Sequence, residues 1–309
     1  MSQDRFHGLL IVDKPAGWTS HDVVGRVRRL IGQRSVGHAG TLDPAATGVL
    51  PVAVGSALRA LEYLSDASKS YRAEVTLGLS TDTLDIEGRL TQTCEIPPLD
   101  ESHVRAHLAS FLGVGEQVPP VYSAIKIDGT PLYARARRGE HVEPPKRLVT
   151  IHRLELVEWQ PPMLTVDVDC SKGFYVRSFA RDLGERAGTC AYLSNLVRTR
   201  VGPFNLCDAW TLAELADAPL ADEWERIAIS PDATALSLAA VIIDSAQVPG
   251  WEQGKRWEID ARGSPGPVRV YDSSGNWLGI GEVAVAAGRA ELRPRKVIPI
   301  VAAGKEESR

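Results

Sequence analysis

Between Gly37 and Val49 the chain reads Gly-His-Ala-Gly-Thr-Leu-Asp-Pro-Ala-Ala-Thr-Gly-Val, a run dominated by glycine and small residues with one proline. Gly37, Gly40 and Gly48 open backbone angles closed to other residues and let a large ligand approach the main chain. The run has a single carboxylate, Asp43. Asp43-Pro44 has the form of an N-cap followed by proline at the first helical position, so a capped turn is its plain structural reading. Gly8 to Val12 and Val49 to Val54 are short apolar runs that read as buried strands. Between them Ser20 can cap a helix with Val23, Val24, Val27, Leu30 and Ile31 on one face and Arg26, Arg28 and Arg29 turned outward. Strand, helix, glycine-rich loop, strand would also suit a phosphate cradle. No Gly-Lys-Ser/Thr follows the glycines, which excludes a nucleoside-triphosphate site.

A chain of 309 residues exceeds one average domain, so one large and one small domain are expected. The four cysteines, Cys94, Cys170, Cys190 and Cys207, form no Cys-x-x-Cys pair. That spacing argues against a zinc ribbon or a disulfide framework and fits a reducing cytosol. There is no basic-then-apolar start and no apolar run approaching the ~18 residues of a membrane span, so a cytoplasmic protein with no membrane partner is expected. The formal charge of −4 averages over unlike regions. Asp208 to Asp232 is strongly acidic, whereas Lys126 to Arg153 and Lys172 to Arg200 are rich in cations. A basic face for a polyanion is therefore permitted, although either run alone also reads as a solvated surface.

Further along, Lys69 to Leu77 alternates as a half-buried strand, with Tyr71, Ala73, Val75 and Leu77 on one face. Periodicity alone makes Tyr71 a core aromatic. Thr81 to Gly88 is a turn-rich link whose Asp82 and Asp85 read as local turn formers. Val104 to Leu112 reads as a helix closed by Gly113. Residues 119 to 147 form an excursion: a strand-like Tyr122 to Lys126, a turn at Asp128-Gly129 and a basic helix from Leu132 to Arg138. Its tyrosines and arginines suit stacking and phosphate contact, and a plain surface hairpin is the alternative. Two strands follow, Leu148 to Val157 and Leu164 to Cys170. Arg177 then sits near the start of a helix running to Ala187, where the helix dipole disfavours a cation, so an anionic partner is expected. Leu193 to Val201 is a further strand. Residues 235 to 309 read as a small β module, with Pro267 to Asp272, Trp277 to Val283 and Ala290 to Ile300 as strands.

Several of these strings, in order, resemble one family. His38 to Gly48 is similar to the catalytic loop of the tRNA pseudouridine synthase B (TruB) family. Asp13 to Gly17, Lys69 to Arg72, Thr81 to Gly88, Tyr122 to Lys126, Leu132-Tyr133 and Cys170 to Arg177 resemble its other motifs, as far as about Pro203. Phe174 stands where the family more often has threonine. The C-terminal region looks like a reduced PUA-like module.

The resemblance implies an α+β pseudouridine-synthase fold: a mixed, mostly antiparallel sheet with flanking helices and a central cleft. The alternation of strand and helix at the start would by itself also allow a parallel α/β sheet. It implies a catalytic domain over 1–234, with the RNA-binding excursion at about 119–147, and a PUA-like module over 235–309. The implied activity is isomerisation of uridine 55 in the T-loop of tRNA, by a monomer acting on the T-arm stem-loop, with a tRNA-folding chaperone or an RNA-guided relative as alternatives. Breaking a glycosidic bond and rejoining the base through carbon needs no redox change, so no metal or cofactor is implied. By the same resemblance the catalytic residues are Asp43 as the nucleophile, Arg177, which holds its charge and its pKa down, and Tyr71, which stacks on the uracil and sits close enough to serve in proton transfer. Tyr175 and Leu196 would contact the flipped nucleotide and His38 would support it. Lys14, Lys126 and Arg198 are further substrate-side candidates, Lys14 chiefly as a support for the loop. Which atom Asp43 attacks stays open.

Overall fold

The structure, a computed structural model, describes residues 4–123, 125–127, 129–140, 142, 144–259, 265–286 and 289–298. The chain opens with β1 (Gly8–Lys14), α1 (Ser20–Ile31), β2 (Val36–His38) and β3 (Thr47–Val54). Next come α2 (Leu61–Ser65), β4 (Lys69–Leu77), the hairpin β5 (Leu79–Thr81) and β6 (Leu90–Thr93), α3 (Glu101–Ala109) and β7 (Gly113–Gln117). The excursion contains β8 (Lys126–Ile127), β9 (Thr130–Pro131) and α4 (Leu132–Arg137). The chain returns through β10 (Arg147–Gln160), β11 (Met163–Cys170), α5 (Val176–Arg186) and β12 (Ala191–Val201). Short elements β13 (Phe204–Asn205), β14 (Trp210–Thr211), α6 (Leu212–Asp217) and α7 (Leu220–Ile227) follow.

The long strands make one mixed sheet in the order β14-β1-β3-β12-β4-β11-β10-β7. Along this path only β1/β14 and β3/β12 are parallel pairs. β1 and β3 lie antiparallel although a helix separates them, because the loop after β2 reverses the chain. The parallel-sheet alternative is thus not adopted, and the fold is the expected α+β. Alternation in β4 turns Tyr71, Ala73, Val75 and Leu77 onto α5, whose Val176, Phe179, Ala180 and Leu183 complete one core. The apolar stripe of α1 packs on β1 and β3 with α6 and α7 to make another.

A second sheet has the order β15-β17-β18-β19-β16, formed by β15 (Ala239–Ile243), β16 (Trp257–Ile259), β17 (Gly266–Asp272), β18 (Trp277–Ala286) and β19 (Arg289–Val297). The helix α8 (Val248–Glu252) places the fully buried Trp251 in its core. This second sheet packs Ile280 of β18 against Ala60 and Ala235 in short helical turns that precede it, and Lys296 pairs with Glu62 of α2 at 2.9 Å.

Several expectations are corrected. Thr19, not Ser20, caps α1 through a capping box with Asp22, which leaves the Ser20 hydroxyl free for the Asp43 loop. By contrast, Asp43-Pro44 forms the turn read from the sequence, closed where the Ala46 N–H donates to the Asp43 carbonyl at 3.1 Å. The helix expected at Val104–Leu112 starts earlier because Asp100 caps it at the His103 N–H, and Gly113 opens a strand. Cys94 and Cys190 are joined in a disulfide, their Cα atoms 5.8 Å apart. Gly78 brings them together by bonding the main chain of both, a tertiary neighbourhood that cysteine spacing cannot reveal.

Candidate active site

The loop between β2 and β3 is held from below by buried polar groups. Ser20 accepts from the Leu42 N–H at 2.9 Å and donates to its carbonyl at 3.2 Å. The Pro44 carbonyl takes the Gly17 N–H at 2.9 Å and the Lys14 Nζ at 3.0 Å. Lys14 is fully buried and also donates to the Pro15 and Trp18 carbonyls, and burial pushes its pKa down to about 8. Arg198, 1% exposed, donates to the Val49 and Gly40 carbonyls at 2.7 and 3.0 Å, with a longer contact to Thr41 at 3.4 Å. Both cations therefore hold the loop. Neither is presented as a surface phosphate contact, because a carbonyl-lined interior satisfies their donors.

Arg177 is the expected cation at the start of α5, and its anionic partners are Asp43 and Asp85. Its Nε lies 3.0 Å from Asp43 Oδ2 and its Nη2 3.0 Å from Oδ1, the two-pronged geometry that suits guanidinium and carboxylate. Nη1 faces Asp85 Oδ2 at 3.3 Å and donates to the Thr83 carbonyl, while Nη2 also donates to the Tyr122 carbonyl at 3.0 Å. The Arg177 and Asp85 side chains are 8% and 9% exposed, whereas Asp43 keeps 37%, open to the cavity. Burial pushes the Asp43 carboxyl above the usual carboxylate range; Arg177 pulls it back, and Asp85 adds to the rise. The expectation that Arg177 would keep this pKa low is thus corrected: Arg177 does lower it, but desolvation outweighs that pull.

The cavity above Asp43 measures about 660 Å³. Tyr71, Tyr175, Leu196, Lys69 and Glu87 are among the residues lining it. Tyr71 belongs both to the core and to this wall; burial pushes its phenol up to about 12, so it stays neutral. Phe174 is buried against Phe179. His38 lies on β2, outside the residues lining the cavity, with a buried Nδ1 that has no partner among the described residues. Burial and the Arg198 charge hold its pKa down. The backbone of Lys126 pairs with Pro131. The Lys126 and Tyr133 side chains, and the turn residue Asp128, lie outside the described residues.

Asp85 was not singled out from the sequence, where turn chemistry accounted for it. Its neighbour Leu84 takes a left-handed backbone with φ of 64°, which turns the loop toward Arg177. The string Thr81 to Gly88 was the available signal.

Three family models cover most of the chain: TruB family pseudouridylate synthase (N terminal domain) at residues 28–176, tRNA pseudouridylate synthase B C-terminal domain at 177–241, and Pseudouridine synthase II TruB, C-terminal, at 239–298. The tRNA pseudouridine synthase B of Aromatoleum aromaticum is 42% identical over 299 residues, covering 97% of this chain and 95% of its own. That of Gloeobacter violaceus is 43% identical over 302 residues, covering 94% and 99%. The chain belongs to the TruB family. Its members are tRNA pseudouridine synthases, isomerases that modify RNA. The TruB-family fold is shared by an H/ACA ribonucleoprotein bound to a substrate RNA containing 2′-deoxyuridine (TM-score 0.73, 22% identity, covering 94% of this chain and 85% of that one). An archaeal box H/ACA Nop10–Cbf5 complex is similar too (TM-score 0.70, 23% identity, covering 94% and 85%). Among the described residues no helix is long and apolar enough to cross a membrane.

Proposed function

We propose that this TruB-family enzyme isomerises uridine 55 of the tRNA T-loop, flipping the nucleotide into the cavity and using Asp43 as the reacting carboxylate. The supporting observation is the two-pronged Asp43–Arg177 pair at the wall of a cavity large enough for one nucleotide. A site that only bound or refolded RNA would have no use for a desolvated carboxylate held in register by a guanidinium. The uracil would lie against Tyr71 and Leu196, with Tyr175 at the side. Unstacking it costs roughly a few kcal/mol, which contacts in the cavity must offset. Tyr71, neutral at physiological pH, would pack and donate rather than act as a base. Arg177 keeps Asp43 oriented while the glycosidic bond opens. We assign the chemistry to residues 1–234 and a supporting RNA contact to 235–309, in a cytoplasmic monomer that acts on the T-arm.

The test is product formation by the purified chain on a T-arm hairpin, with no added factor or metal. Asp43→Asn is expected to abolish pseudouridine while tRNA affinity stays near wild type. Wild-type-like turnover in that variant removes Asp43 from the mechanism. A requirement for a guide RNA points to the guided alternative, and T-loop refolding without product to the chaperone.

A further inference from the structure

Gln117 is the last residue of β7, where the chain leaves the sheet for the excursion. Its side chain is buried, 5% exposed, and both ends of its carboxamide are engaged. The Tyr175 N–H donates to Oε1 at 2.8 Å, and Nε2 donates to the Tyr175 carbonyl at 3.0 Å. The side chain thus gives one residue of main chain the two bonds that a neighbouring strand would give. Tyr175 is the N-cap of α5 and makes no side-chain cap bond; its carbonyl also takes the Phe179 N–H at 3.1 Å. Next to Gln117, the Val118 carbonyl accepts from Ser178 at 2.7 Å and Arg181 at 3.1 Å. These bonds fasten the root of the excursion to α5, and Gln117 is the group that grips Tyr175 itself.

We propose that Gln117 is a positioning residue of the synthase: its carboxamide sets the main chain of Tyr175, so that Tyr175 faces the nucleotide cavity and Arg177, two residues on, meets Asp43. The proposal rests on the reading of that cavity as the uridine site. Gln117→Leu keeps the bulk and loses both bonds. Gln117→Glu keeps the acceptor but sets a second oxygen against the Tyr175 carbonyl, an arrangement relieved when that carboxyl is protonated. The charged groups on the elements packed here are Arg147, opposite Gln117 in the ladder, Glu116 beside it on β7, and on α5 Arg177 with its partners Asp43 and Asp85 and Arg181 with Asp182.

Single-turnover rates on tRNA are expected to fall tenfold to a hundredfold, as an order of magnitude, in Gln117→Leu, with tRNA affinity within about twofold of wild type. The rate of Gln117→Glu relative to wild type should rise as pH falls. A flat ratio, a wild-type rate in Gln117→Leu, or a loss matched by the fraction unfolded would overturn the proposal. Hydrogen exchange at the Tyr175 amide reads the clamp without turnover and is expected to quicken in Gln117→Leu. Equal exchange rates would count against Gln117, whereas absence of product from the wild type would count against the uridine reading alone.

Discussion

Asp43 has a titration with a definite sign. Its folded pKa is raised, chiefly by burial, so the carboxylate form that the proposed reaction needs is lost as pH falls through a value above that of an ordinary aspartate. The acid limb of the rate should therefore lie above the usual carboxylate range. Asp85 contributes to the rise as a like charge, and it also braces Arg177. Asp85→Asn should move that limb to lower pH while lowering the plateau by an order of magnitude or so, through a looser Arg177. Single-turnover rates across the acid range measure both, and a limb that stays put or climbs would remove Asp85 from the electrostatics of the site. Much of this site was legible in the sequence at the level of residue type. Arg177 stood out as a cation at a helix start, which asks for an anionic partner, whereas Asp43-Pro44 by itself reads as a capped turn and only the resemblance of the His38 to Gly48 string marks Asp43 as a nucleophile. Arg198 and Lys14 were harder, since a cation in a sequence does not say whether it points at carbonyls or at solvent. Asp85 was hidden by the local hydrogen bonds that its turn also makes.

At the scale of elements, the Asp43 loop depends on how closely β3 and β12 approach. Gly48 has φ of 99°, and a Cβ placed on it would stand 2.3 Å from the Arg198 carbonyl oxygen. That neighbour is backbone in a parallel pair, so it cannot swing aside. Gly48→Ala is expected to cost about 3 kcal/mol by denaturant unfolding and to lower the rate, because moving Arg198 releases the Gly40 and Val49 carbonyls. A loss below about 0.5 kcal/mol would mean that the strands part without penalty. The reach of sequence reasoning differs between elements for physical reasons. The bounds of β4 follow from strict alternation against a one-sided core. α3 was misplaced because an aspartate cap outweighs the first apolar residue in starting a helix. β7 was missed altogether: an edge strand of Gly-Val-Gly-Glu-Gln carries no periodic signal, and its pairing with β10 defines it.

For the whole molecule, the formal charge of −4 is arranged rather than spread. The acids of Asp208 to Asp232 sit largely on α6 and α7, packed near α1. Many cations near the cavity are already committed. Arg200 donates to Ser70 at 2.9 Å, Ser68 at 3.2 Å and the Gly202 carbonyl at 2.9 Å, and Arg177 and Arg198 serve the loop. The basic run as a whole therefore overstates the phosphate contacts available. Arg147 differs: it is exposed, in a groove of about 680 Å³ that shares Ser65, Ser171 and Gly173 with the cavity above Asp43. An RNA strand leaving the cavity along that groove would pass its guanidinium. Each phosphate neutralised adds about one unit to the slope of log affinity against log salt. Arg147→Ala should thus weaken tRNA binding and flatten that slope by about one, while Arg200→Ala leaves the slope as it was. Titrations of tRNA at several salt concentrations separate the two. A slope unchanged in Arg147→Ala, or reduced in Arg200→Ala, would place the backbone track on another face of the molecule.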